Sequence, residues 1–144
     1  MPSLTPLLAN FTPEELSLLS SFGDSRSYAE DEVLIRQGED NDHLFLVLKG
    51  KLDVLQDVDG FHKKVATLEP GDSLGEVSVF DPGPASATVR SSGEAEVWLI
   101  TSTGMERLHA ANPKVAYRLL SRITTCLSKR LRQMNDKVVD LVNR

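Results

Sequence analysis

The sequence predicts an α+β fold: a small sandwich or barrel of short strands, with one helix in front of it and a long helix behind. Three observations carry this expectation. Short apolar runs at residues 32–35, 44–48, 52–55, 65–68, 87–89 and 97–100 follow one another closely, with glycine-containing turns between them. Thr12-Pro13-Glu14-Glu15 marks a helix start ahead of the first run. After Pro113 the chain has neither Gly nor Pro, so the last segment can run as one helix to near the end.

In the first helix Thr12 caps, Pro13 suits the first turn and Glu15 completes a capping box. Leu16, Leu18, Leu19 and Phe22 supply its buried side, and Gly23 ends it. The first strand-like run, Glu32-Val33-Leu34-Ile35, leads into the polar turn Gly38-Glu39-Asp40-Asn41-Asp42. Leu44-Phe45-Leu46-Val47-Leu48 is apolar on both faces, as expected of a strand held between two layers. Lys49-Gly50-Lys51 then opens the partly alternating run Leu52-Asp53-Val54-Leu55. Asp59-Gly60 is a hairpin signal, because both residue types tolerate positive φ. Val65 to Leu68 returns from it, and Pro70-Gly71 turns the chain again. Ala87-Thr88-Val89 and Val97-Trp98-Leu99-Ile100 read as two further strands, with Trp98 in the core. Thr103 and Glu106 read as a second capping box opening a short helix. Asn112-Pro113 starts the last helix, with Asn as cap and Pro in the first turn.

The chain of 144 residues is near the commonest domain size, and its 40% hydrophobic and 26% charged residues suit a globular protein. The amino terminus lacks a basic start and a long apolar run, so a secretion signal is not expected. No stretch approaches the ~20 apolar residues of a membrane span. Cys126 is the single cysteine, which forbids an intrachain disulfide and agrees with a cytoplasmic location. The net charge of −5 hides a division. Residues 1–113 hold 8 basic and 19 acidic side chains, a net −11, and residues 114–144 hold 8 basic and 2 acidic, a net +6. The basic tail reads either as a solvated helix face or as a docking surface for an acidic body or polyanion. Accordingly the expected organisation is a body over residues 1–112 and a long helix over 113–144.

His43, His62 and His109 are scattered without metal spacing, and residues 39–42 lack the calcium-loop pattern, so no metal is expected. Nothing pairs a nucleophile with a base, so no enzyme is expected.

Two segments carry the most information. The first reads Ile35-Arg36-Gln37-Gly38-Glu39, then Asp42-His43-Leu44-Phe45-Leu46-Val47-Leu48-Lys49-Gly50-Lys51-Leu52. The second reads Leu68-Glu69-Pro70-Gly71-Asp72-Ser73-Leu74-Gly75-Glu76-Val77 and continues to Pro84-Ala85-Ser86-Ala87-Thr88-Val89. Together they resemble the two signatures of cyclic-nucleotide-binding domains, including the phosphate-binding cassette, and the resemblance runs from about residue 12 to about residue 130. It implies an antiparallel β-roll (a double-stranded β-helix, jelly-roll-like) with an N-terminal helix, a short cassette helix, a long C-terminal helix and a ligand inside the roll. It implies a ligand site at Leu74, Gly75, Glu76, Val77, Ala85, Ser86 and Ala87, with cAMP or cGMP as ligand and no cofactor.

The chemistry of such a site is simple. A cyclic nucleotide brings one negative phosphodiester and a ribose 2′-hydroxyl. A short helix starting near Gly75 would aim backbone N–H groups at the phosphate. Gly75 permits close backbone approach. By resemblance Glu76 accepts from the 2′-hydroxyl, and Ser86 offers a hydroxyl to the phosphate or the base. The family places an arginine directly after the late proline, for a bidentate contact to the phosphate. Here that position is Ala85, which has neither donor nor charge. Arg90 is five residues further, about 16 Å along a strand, and of opposite parity, so it should face away. Arg36, Lys63 and Lys64 lie on other elements.

In the last helix Leu120, Leu127, Met134 and Leu141 recur every seven residues, with Thr124, Leu131 and Val138 four residues after the first three. That spacing is a coiled-coil seam, expected to touch the roll early and a second copy later through Leu120, Leu127, Leu131, Met134, Val138 and Leu141. Cys126 lies off this seam. Family transcription regulators add a helix-turn-helix after the long helix, and this chain stops at Arg144, before any such DNA-binding module.

Two functional readings follow. One is a non-enzymatic regulatory sensor that binds a cyclic nucleotide or similar small anion with weakened phosphate recognition. The alternative is a degenerate, ligand-free domain serving dimerisation or protein interaction.

Overall fold

The computed structural model describes Leu8, residues 11–75 and residues 83–142. The described helices are α1 (Pro13–Phe22), α2 (Ser102–Ala111) and α3 (Pro113–Val142). The strands are β1 (Asp24–Tyr28), β2 (Val33–Ile35), β3 (Asp40–Asn41), β4 (His43–Val58), β5 (Phe61–Leu68), β6 (Ser73–Leu74), β7 (Gly83–Pro84) and β8 (Thr88–Thr101). All pairings are antiparallel, in the order β1-β8-β4-β5, with β2 also on β8 and β6 on β4, while β3 and β7 form a separate two-residue ladder.

The long strands β4 and β8 organise the molecule, and their alternation is the reason. Leu44, Leu46, Leu48, Trp98 and Ile100 point to one face and pack with Leu16, Leu19, Met105, Leu108, Val115, Ala116, Leu119 and Ile123 of the helices. Phe45, Val47, Val97 and Leu99 point to the other face and join Ile35, Leu52, Leu68, Leu74, Val89 and Ala95 inside the roll. The doubly apolar run 44–48 is thus explained, since each parity fills a different core.

Local signals act as expected at several ends. In the α1 capping box, Thr12 N donates to Glu15 Oε1 at 2.9 Å and Glu15 N donates to Thr12 Oγ1 at 3.2 Å. Asp59 and Gly60 both adopt positive φ, 52° and 82°, and close the β4–β5 hairpin. Asn112 caps α3 by accepting from Val115 N at 3.2 Å.

Elsewhere the structure corrects the reading. Residues 44–48 and 52–55 are one strand, β4, because the chain passes Gly50 through register shifts without breaking. Residues 88–89 and 97–100 likewise belong to the single strand β8. Strand β1 has no counterpart among the apolar runs. It is mostly exposed, and its polar sequence carries no core-facing stripe. Helix α2 begins at Ser102 with Thr101 as its cap, not at Thr103. Thr101 Oγ1 accepts from Gly104 N at 3.0 Å, and the third helical residue is Gly104, which has no side chain to complete a capping box. In α1, Leu16 and Leu19 are buried, whereas Leu18 and Phe22 are only partly so. The expected short cassette helix lies outside the described residues.

Candidate functional site

Gly75 and the stretch from Gly83 to Ala85 sit against the same piece of chain, residues 38–43. On the entry side, β6 pairs with β4 through Ser73 opposite Leu46 and Leu74 opposite Phe45, and Leu74 is buried. Gly75 follows with φ +81°, and a Cβ there would lie 2.2 Å from the His43 carbonyl oxygen and 3.0 Å from Asn41 Nδ2. Only glycine fits so close to that carbonyl in a left-handed conformation. Asn41 steadies the contact, since its Nδ2 donates to His43 O at 2.9 Å and its Oδ1 accepts from His43 N at 3.3 Å.

On the exit side, Gly83 pairs with Asn41 and Pro84 with Asp40. Gly38 N donates to Ala85 O, and Ala85 N donates to Glu39 O, both at 2.9 Å. Gln37 N donates to Thr88 Oγ1 at 3.0 Å. The polar turn after β2 is therefore the anchor of both flanks, a role its composition does not announce.

Of the site residues expected from the sequence, Leu74, Gly75 and Ala85 make the contacts just described, and Ser86 and Ala87 follow Ala85 in the chain. Glu76 and Val77 lie outside the described residues. Ala85 is half-buried and packs against the interior cluster, as do Leu34 and Val54. Ser86 is exposed and Ala87 half-buried. Arg90 does face away: it lies 3.7 Å from Asp31 and lines an outer recess with Arg36, Gln37, Thr88 and His62. Lys64 pairs with Asp53 at 3.2 Å.

Sequence reasoning missed the link from α3 to the entry strand. Arg130 Nη2 donates to the Ser73 carbonyl oxygen and approaches Ser73 Oγ at 3.3 Å, and Ser73 is fully buried. The partners are 57 residues apart, so no local signal connects them. At the other end of α3, Arg118 donates to both oxygens of Glu15 and lies over the Phe11 ring, 4.7 Å from its centroid. The Thr12 backbone N–H and then the Arg118 guanidinium hold the Glu15 carboxyl below its usual 4.5.

Among the described residues no group of His, Cys, Asp or Glu could hold a metal ion. No described helix is long and apolar enough to cross a membrane.

A roll of this topology, with the Gly75 turn and the exit strand seated on one loop, defines the class of small antiparallel β-roll domains. The family model of the cyclic nucleotide-binding domain matches residues 25–112, and the chain belongs to that family. It is 33% identical over 116 residues to the cAMP-activated global transcriptional regulator CRP of Salmonella typhimurium, covering 79% of this chain and 53% of that protein. Among solved structures, a cyclic nucleotide-binding domain from Methylobacillus flagellatus superposes with a TM-score of 0.83 at 26% identity, covering 94% of this chain and 77% of that one. The catabolite activator protein of Thermus thermophilus gives a TM-score of 0.78 at 27% identity, covering 96% and 63%. The chain spans about half the length of the curated relatives it matches.

Proposed function

We propose that this domain is a non-enzymatic cytoplasmic sensor whose roll takes a cyclic nucleotide, cAMP or cGMP, with weakened hold on the phosphate. The observation that carries the reading is the convergence of Gly75 and residues 83–85 on residues 38–43, which leaves Ser86 and Ala87 beside the same end of the roll. Glu76 would accept from the ribose 2′-hydroxyl, and backbone N–H groups after Gly75 would face the phosphate. Leu74 and Val77 would line the pocket wall. Without a guanidinium at position 85 the phosphate loses a bidentate, charge-assisted pair. Such contacts contribute roughly 1.5–3 kcal/mol or more, so a micromolar site would fall to about 0.1–1 mM.

Residues 113–144 would serve as the dimerisation element. The first turns of α3 pack on the body through Val115, Ala116, Leu119 and Ile123, whereas Leu131, Met134, Val138 and Leu141 are exposed. These four, with the half-buried Leu120 and Leu127, would meet the same stripe of a second copy. Arg130 on Ser73 supports coupling between that helix and the turn at Gly75.

A second reading has its own support. The Ala85 methyl packs on the interior cluster, as in a roll closed upon itself and used as an interaction module. Titration calorimetry with cAMP and cGMP on the native protein and on Ala85→Arg separates the two. The sensor reading expects weak saturable binding by the native protein, tightened at least tenfold by the substitution. No binding by the native protein, with binding gained by Ala85→Arg, would leave the ligand-free reading standing.

A further inference from the structure

We propose that the cleft between α3 and the turn before β6 is a second anion site, for a small molecule carrying two phosphoryl groups. The cleft is a cavity of about 310 Å³ lined on one wall by Arg122, Cys126, Lys129, Arg130 and Gln133, and on the other by Pro70, Gly71 and Asp72. None of the described residues that flank the roll site lines it.

The helix geometry sets the ligand. Arg122 and Lys129 are seven residues apart, which is two turns, so they share a face with about 10 Å between their Cα atoms. Gln133 continues the same line one turn further and adds an amide donor. Arg130 stands beside Lys129 with its guanidinium on Ser73. Among the described residues of the cleft, Arg122 and Lys129 stand opposite one carboxylate, Asp72, whose Oδ2 already accepts from Glu69 N at 2.9 Å. A ligand with two phosphoryl groups suits this row better than orthophosphate, because it brings more negative charge and more terminal oxygens to share between two long, flexible cations. The outer recess beside Arg90 makes the contrast. There Arg36, Arg90 and His62 are offset by Glu39, Asp57 and Asp31, with Asp57 paired to His62.

The cleft also has a built-in reporter. Cys126 is the single cysteine of the chain and lines the cavity between Arg122 and Lys129. A ligand bridging those two would cover it. The experiment follows the rate of Cys126 alkylation by neutral iodoacetamide in the full chain, with pyrophosphate, orthophosphate or chloride at matched ionic strength. Pyrophosphate is expected to slow alkylation several-fold and saturably, at a concentration at least tenfold below that needed for orthophosphate. Arg122→Gln and Lys129→Gln should each raise the pyrophosphate midpoint by about tenfold, the loss of one charge-assisted contact. Lys129 is exposed, so its substitution tests the site without threatening the fold. Equal slowing by chloride, absence of saturable protection, or protection unchanged in Lys129→Gln would overturn the proposal.

Discussion

Glu15 of α1 and Arg118 of α3 form a two-oxygen ion pair, 2.5 and 2.6 Å from the same guanidinium nitrogen, across 103 residues of sequence. It ties the first helix to the last on the side of the sheet away from the roll interior, and the Phe11 ring lies under the same guanidinium.

The pair makes the docking of α1 sensitive to acid. The Glu15 carboxyl is held below its usual 4.5 in the folded chain, so it binds a proton less readily folded than unfolded. Its contribution is complete above that ordinary value and is lost as pH falls through the lowered folded one. Thermal melts between pH 7 and pH 3 should therefore show stability falling below about pH 4.5, and Glu15→Gln, which keeps the capping box, should flatten part of that fall. An unchanged slope in Glu15→Gln would show that other carboxylates set it.

Gly75 and Gly60 have nearly equal φ, +81° and +82°, but only Gly75 faces an obstacle. Gly60→Ala should cost about 1–2 kcal/mol, the left-handed penalty alone. Gly75→Ala carries the same penalty and adds a clash with the His43 carbonyl, so it should cost more and displace the turn. Chemical denaturation of both variants compares the two directly.

Leu119 is fully buried while Leu131 is 60% exposed, although both lie on α3. Leu119→Ala should destabilise the chain by about 2–5 kcal/mol. Leu131→Ala should leave the stability of a single chain within about 0.5 kcal/mol. If the exposed stripe pairs with a second copy, Leu131→Ala should weaken self-association, which sedimentation velocity over a concentration series would detect.

Arg130→Met removes a donor from the carbonyl of buried Ser73. An acceptor left short inside the protein costs about 1–3 kcal/mol. Hydrogen exchange should rise at Ser73 and Leu74 more than in the centre of β4. Equal exchange in both would mean that α3 does not restrain this strand.

The sequence made most of the framework readable, because its signals were local. The Thr12 capping box, the Asp59-Gly60 turn and the Asn112 cap each involve residues within a few positions of one another. The apolar run at 44–48 was also legible, since a doubly buried strand leaves no polar parity. What failed was continuity. A glycine between two apolar runs reads as a break, yet β4 passes Gly50 and β8 passes Gly93 unbroken. Strand β1 left no trace because it is a mostly exposed edge held by backbone pairing to Glu96, Val97, Trp98 and their neighbours. Beside the candidate site, the outward turn of Arg90 followed from parity. The anchoring role of Asn41 and His43, and the reach of Arg130 to Ser73, depend on contacts that no spacing encodes.

Because successive residues of β4 and β8 furnish opposite chambers, these strands act as a shared diaphragm. A one-residue insertion within 44–47 would turn the β4 residues beyond it to the opposite chamber and should abolish folding, not merely weaken it. The same construction means that strain raised inside the roll bears on the seats of all three helices without any loop to relay it, since close-packed walls yield little.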